Sequence, residues 1–171
     1  MHVMIATDGT LDPAKTTRIA TRLVGAEGKI TVFTAVIVPR GLLDDMRSAA
    51  GEGAAEKAYD KISIENRTTQ AGNRAPVHWL GDDAVMDRFV KNRIAQATTE
   101  LADALTEAGA TFEIVGVEGE DVAKQVLKHV NENSVDVLLI GTHGMGRFDG
   151  LLGASSTKLA RRAACSVVLV R

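Results

Sequence analysis

The stretch Val135-Asp136-Val137-Leu138-Leu139-Ile140-Gly141-Thr142-His143-Gly144-Met145-Gly146-Arg147-Phe148-Asp149-Gly150-Leu151-Leu152-Gly153-Ala154-Ser155-Ser156-Thr157 decides the fold. Its opening, Val135 to Ile140, is apolar at every position but Asp136. That is the pattern of a central parallel strand buried on both faces, with the aspartate at the start. Five glycines then fall within the thirteen residues from Gly141 to Gly153, and a helix of about Ser155–Ala163 follows. A strand feeding a glycine loop and then a helix is half of a parallel crossover unit.

Working outward, Ser166–Val170 reads as a last strand and Phe112–Val117 as an earlier one. Between Phe112–Val117 and the quoted stretch, Gly119-Glu120-Asp121 sets two carboxylates at a helix start, where the dipole favours them. Val122, Val126 and Val130 mark the buried face of that helix. From Ala84 to Ala108 the apolar positions Val85, Phe89, Ile94, Ala97, Leu101, Leu105 and Ala108 step by three to five residues, which predicts one long amphipathic helix closed by Gly109. At the other end of the chain His2–Thr7 is a strand. Asp12-Pro13 is an N-cap followed by a first-turn proline, and the helix runs to about Val24, with Ile19, Ala20, Leu23 and Val24 on one face and Gly25 as the stop. Lys29–Val38 is β-branched and closed by Pro39.

Strands alternating with helices predict an α/β protein: an open five-stranded parallel sheet, Rossmann-like, with right-handed crossovers and helices on both faces. The chain has 171 residues; at roughly 150 per domain this predicts a single domain over 1–171. Residues 41–81 fit the pattern least. A short helix near Ala54–Lys61 and a polar tract from Asn66 to Arg74 leave a poorly defined insertion or flap that holds the only tyrosine and tryptophan, Tyr59 and Trp79. These two aromatics either pack the flap onto the core or cover a bound base.

Composition narrows the function classes. Lys plus Arg total 20 against 22 Asp plus Glu, so no whole-chain basic field draws the protein to nucleic acid. Charged residues are 25% and hydrophobic ones 45%, which excludes global disorder. No apolar run approaches the roughly 20 residues of a membrane span. Cys165 is the single cysteine, so no internal disulfide forms; with no leader-like opening, a reduced cytoplasmic compartment is expected. Cys165 itself reads as a small buried hydrophobe. No Gly-Lys-Ser or Gly-Lys-Thr occurs, and His2, His78, His129 and His143 are scattered, so neither a Walker loop nor a metal site is expected. A strand-5 lysine of response-regulator type is absent too.

In an open parallel sheet the ligand lies beyond the carboxyl ends of the strands, where strand order reverses, and Asp8, Val36 and Gly141 stand at such ends. The glycine loop suits a phosphate: glycines admit close approach, and the following helix adds unpaired N–H donors, with Ser155 and Ser156 at its cap. Local charge agrees, for Gly141 to Arg171 holds five basic residues and one acid in a net acidic chain. Arg161 and Arg162 fit a solvated helix end. The plain alternative is a loop that only connects strand to helix. For Asp8 the alternative is an Asx turn or helix cap.

Ile5-Ala6-Thr7-Asp8-Gly9-Thr10, Leu138-Leu139-Ile140-Gly141-Thr142-His143-Gly144 and Cys165-Ser166-Val167-Val168-Leu169-Val170 together resemble the universal stress protein family, over roughly residues 1–40 and 84–171. The resemblance implies an adenine nucleotide alpha hydrolase-like fold and an ATP-binding pattern of Gly, two residues, Gly, nine residues, then Gly and Ser or Thr. Gly141 and Gly144 match it. A spacing of nine lands on Ala154, whereas aligning the Leu-Leu-Gly run places Gly153 there with eight between and Ala154 where a hydroxyl belongs.

By the same resemblance Asp8 would hydrogen-bond the nucleoside, Ala6 and Ile140 would flank it, and Val36 would offer backbone groups to the adenine edge. His143 would reach ribose or phosphate, or else solvent. ATP would bring Mg²⁺, and a homodimer would form through Ser166–Val170. No general base or nucleophile accompanies the loop, so no catalytic residue is assigned, and the expected role is a sensor or regulator. The alternatives are a dimeric interaction protein of the same fold that binds no nucleotide, which Ala154 favours, and a slow ATP hydrolase.

Overall fold

A computed structural model describes residues 1–25, 27–38, 82–142 and 153–171. Contacts divide the chain into two units, Met1–Ile37 with Val90–Arg171, and Val38–Phe89. The first unit holds every strand of the sheet. In chain order the elements are β1 (His2–Ala6), α1 (Pro13–Val24), β2 (Lys29–Val36), α2 (Asp82–Glu107), β3 (Phe112–Glu118), α3 (Val122–Glu132), β4 (Val137–Gly141), α4 (Ala154–Arg162) and β5 (Ser166–Val170). All four pairings are parallel, in the order β3-β2-β1-β4-β5. Among the described residues no helix is long and apolar enough to cross a membrane.

The elements expected over the described residues form, with ends that shift for identifiable reasons. Asp12 caps α1 by accepting the Lys15 N–H on Oδ1 at 2.8 Å, Pro13 opens the helix, and Gly25 ends it at φ 67°. There the left-handed region favours glycine. Residues 135 and 136 fall outside β4: the Asp136 carboxylate accepts the His2 backbone N–H at 2.6 Å, and the Asp136 N–H donates to the His2 carbonyl. The aspartate thus sits just before the ladder, at the strand's start.

Alternation along the strands divides the core. Val3, Ile5, Ile30, Val32, Val137 and Leu139 point to one face, under Leu11 and Ala20 of the α1 segment and Leu101 and Leu105 of α2. Met4, Phe33, Leu138 and Ile140 point to the other, under Ala123, Val126 and Val130 of α3 and Leu159 of α4. Two sequence expectations change. The fully covered positions of α1 are Thr16, Thr17 and Ala20, with Ile19, Leu23 and Val24 only partly buried. Ala108 is exposed, because α2 ends at Glu107 and the chain turns away. The buried Thr16 and Thr17 hydroxyls find no hydrogen-bond partner among the described residues.

Two glycines set how α2 lies on the sheet. A Cβ on Gly116 of β3 would stand 2.2 Å from Ile94 Cδ1, so the glycine lets Ile94 settle onto the strand. A Cβ on Gly9, at φ 92°, would meet the Ala97 Cα at 3.3 Å. The turn after β1 therefore runs directly beneath α2.

A cleft at the switch point of the sheet

The chain leaves β1 toward α1 on one face and leaves β4 toward α4 on the other. Adjacent strands whose exits diverge in this way open a crevice between them. A cleft of about 260 Å³ occupies it. Its apolar floor and side are Phe33, Ala35, Ile140, Val122, Val126 and Leu159, and its polar rim carries Thr7, Asp8, Thr10, Gly141, Gly153, Ser155 and Ser156.

The rim on the β1 side is a tight turn locked by side chains. The Thr7 hydroxyl accepts the Gly9 N–H at 2.9 Å, and Asp8 Oδ1 accepts both the Thr10 N–H at 3.1 Å and the Thr10 hydroxyl at 2.5 Å. Asp8 thus makes the Asx turn that its position allows. Asp8 also lines the cleft, and its other oxygen, Oδ2, has no partner among the described residues, so the carboxylate that holds the turn keeps acceptor capacity there.

The rim on the α4 side is the start of a helix without a side-chain cap. Gly153 stands at the N-cap with φ −56° and ψ 154° and makes no side-chain cap bond. The first intrahelical bond is Thr157 N–H to the Gly153 carbonyl at 2.8 Å. The N–H groups before it have no place in the helical ladder, and the dipole adds a partial positive charge there. Ser155 is exposed beside them. Ser156 is turned inward: its hydroxyl donates to the Gly141 carbonyl at 2.8 Å, tying the helix to the end of β4. That hydroxyl's hydrogen is committed, and only its lone pairs face outward.

The wall between the two helices on this face is tied by Asp121. One of its oxygens caps α3 by accepting the Lys124 N–H at 3.0 Å, and the other takes the Lys158 ammonium of α4 at 2.5 Å. The Lys158 hydrogen bond, helped by the Lys124 N–H, holds the Asp121 carboxyl below its usual range.

Seven of the ten residues singled out from the sequence line the cleft: Ala6, Asp8, Ile140, Gly141, Gly153, Ser155 and Ser156. Val36 does not line it; it is buried, and its carbonyl accepts the Gly119 N–H at 3.0 Å. His143 and Gly144 lie outside the described residues, as do the flap at 41–81 and the short helix expected within it. Sequence reasoning missed Phe33, Ala35 and Leu159 as cleft residues, and assigned Val122 and Val126 only to the core. The alternation in β2 already placed Phe33 and Ala35 on one face; what was not legible is that this face is left open there.

Among the described residues no group of three His, Cys, Asp or Glu side chains could hold a metal ion. Cys165 is half-buried and packs into the α3/α4 side of the core, and burial pushes its thiol up from the ordinary value. It behaves as the small hydrophobe expected.

A family description for the Universal stress protein family matches residues 1–171. No curated protein matches the chain. Among solved structures, a universal stress protein in complex with cAMP shares 19% identity at a TM-score of 0.52, covering 100% of this chain and 96% of that one. The hypothetical protein MJ0577 shares 12% identity at a TM-score of 0.56, over 99% and 94% of the two chains. A universal stress family protein of Arabidopsis thaliana with AMP bound shares 14% at 0.53, over 99% and 90%. At these identities the likeness is one of fold.

Proposed function

This chain belongs to the universal stress protein family, and on that premise we propose that it binds an adenine nucleotide in the switch-point cleft and acts as a sensor or regulator. The observation that carries the reading is the cleft's division of labour: an apolar floor suited to a flat base, an Asp8 oxygen with no partner among the described residues suited to a sugar hydroxyl, and an α4 start without a side-chain cap suited to a phosphate. The nucleotides in the cAMP and AMP complexes of the structural neighbours support the same class of ligand.

ATP is the proposed ligand, with Mg²⁺ arriving on its phosphates. The donors fit an anion, while Asp8 is the one carboxylate on the rim of the described cleft. Ala6 and Ile140 flank the base side, Gly141, Gly153 and Ser155 the phosphate side, and Ser156 keeps the helix start in place. Gly144 and His143 belong to the proposed phosphate loop, and the Val36 strand end to the adenine side. At about 260 Å³ the described cleft is near the lower end of small-ligand pockets.

We place the chain in the cytoplasm and propose a homodimer through Ser166–Val170. β5 is an edge strand, and Leu169 on it is among the exposed large hydrophobic residues. An apolar edge of this kind invites pairing with a second copy.

The test is a thermal shift with MgATP and with AMP, on the parent chain and on Gly153→Asp. Gly153 has a negative φ that any residue adopts, and an aspartate there caps the helix while placing charge where phosphate would lie. At a hundred times the dissociation constant, ligand adds about 2.7 kcal/mol, roughly 5 to 10 °C for a chain this size. A shift in the parent that disappears in the variant is the expected result. No shift with any nucleotide in the parent favours the interaction protein without nucleotide, with Ala154 as the first residue to restore to serine.

A further inference from the structure

His129 is a titratable group on the cleft's supporting layer that the proposed binding role does not use. It lies on α3 one helical turn from Val126, its ring centroid 4.9 Å from that of Phe33 at an interplanar angle of 39°. Phe33 is fully buried and lines the cleft. The imidazole thus presses on Phe33 from within the α3 layer. Its Nε2 is buried without a hydrogen-bond partner. A neutral imidazole tolerates that position with Nε2 as a bare acceptor, whereas an imidazolium must bury an unpaired N–H and a charge.

The surroundings act in both directions. Charge on His2 of β1 and on Lys29 of β2 opposes protonation, while Glu113 of β3 and Glu132 of α3 favour it. Burial outweighs them and lowers the group below the ordinary histidine value. His2 cannot relieve it: its Nδ1 faces the Asn133 carbonyl at 3.1 Å and its Nε2 the Thr31 hydroxyl at 2.8 Å. That hydroxyl in turn donates to Glu113, which Lys29 also pairs at 2.8 Å. Both of these bonds end on Glu113 Oε1, and His129 Nε2 has no partner among the described residues, so a protonated ring gains solvation by swinging outward, away from Phe33.

We infer that His129 is a proton-sensitive prop for Phe33 in the cleft: when the imidazole takes a proton and leaves Phe33, that side of the cleft loosens, and acid weakens nucleotide binding. The inference rests on the nucleotide reading above for its consequence, and on the His129–Phe33 packing alone for its cause. Linkage makes the effect reciprocal, since a nucleotide that needs Phe33 in place also holds His129 neutral.

The experiment measures AMP affinity at about pH 7.5 and about pH 5.5 in the parent and in His129→Leu, so that the titration of AMP's own phosphate cancels between the two chains. The parent is expected to lose about fivefold or more beyond what the variant loses. In parallel, the Phe33 ring resonances of the ligand-free parent are followed across the same range and are expected to move with a midpoint below that of free histidine. His129→Gln, which keeps a polar side chain without a titration, serves if the leucine variant folds poorly. Equal losses of affinity in parent and variant, or a Phe33 signal that does not respond to pH, overturn the inference. A responsive Phe33 in a chain that binds AMP at neither pH supports the prop and removes the nucleotide reading instead.

Discussion

On the face of the sheet covered by α1 and α2, Leu105 is fully buried over Ile30 and Val32, Ile94 fills the space that Gly116 leaves, and α2 passes within contact distance of the Gly9 turn. On the face covered by α3 and α4, the layer stops short of the strand ends: Phe33, Val126, Ile140 and Leu159 line a cleft. Helix starts differ as well. Asp12 caps α1 and Asp121 caps α3, while α4, whose start faces the cleft, has no side-chain cap. The α1/α2 face is packed up to the turn after β1; the α3/α4 face leaves an apolar surface and the uncapped start of α4 together at the carboxyl ends of the strands. Unsatisfied groups are tolerated where a ligand can complete them.

The largest effect that should separate the faces is Leu105→Ala. A fully buried leucine on the closed face costs roughly 2 to 5 kcal/mol on truncation, read by urea unfolding, with ligand affinity of the folded fraction unchanged. A parallel loss of affinity would show that the closed face also shapes the cleft. Next, Gly116→Ala drives a Cβ into Ile94 and should cost about 1 to 3 kcal/mol. Adding Ile94→Ala removes the obstructing atoms, so the double variant should lose less than the sum of the two single ones. Strict additivity would place the cost of Gly116→Ala in the strand itself.

Acidification sharpens the comparison in two separate windows. His129, favoured neutral in the fold, takes its proton later than in the unfolded chain, whose histidine titrates near 6.5. Its stabilisation is complete above about pH 6.5 and falls as pH drops toward the lowered native value. Glu113 is held below the ordinary carboxylate range first by its hydrogen bond from Lys29, and Asp121 first by Lys158. Their stabilisation is present above about pH 4 and lost as pH falls through the native values. Melting temperatures recorded across pH should therefore decline in two stages, and His129→Leu should erase only the one nearer neutrality.

The smallest stability effect is Gly153→Asp, which should raise the melting temperature by the equivalent of a few tenths of a kcal/mol through the new cap. A cap that stabilises the fold yet abolishes ligand binding would mark the bare helix start as retained for function. A destabilised variant would show instead that the glycine is needed for the loop.

Local signals carried much of the chain. The run of β-branched and apolar residues from Ser166 to Val170 is the last strand to the residue, and Asp12-Pro13 and Gly25 bound α1 as their chemistry requires. Thr16 and Thr17 were not legible as core, because a buried threonine is chosen by the space beside it. Seven cleft residues were readable because they sit at strand ends or at a helix start, positions that local pattern defines. Phe33, Ala35 and Leu159 were not, because strand alternation and helix spacing tell which face a side chain takes, not where on that face the covering layer stops.

By itself the sequence determined the five strands, the helices between them and the parallel winding, since hydrophobic period, caps and turn residues act within a few positions of one another. Only the tertiary structure decided that the face under α3 and α4 is left open at the β1/β4 switch point, that Ser156 faces Gly141, that Val36 gives its carbonyl to Gly119, and that His129 lies against Phe33. Each of these is a contact between segments distant in sequence, chosen by packing and by the search of buried polar groups for partners.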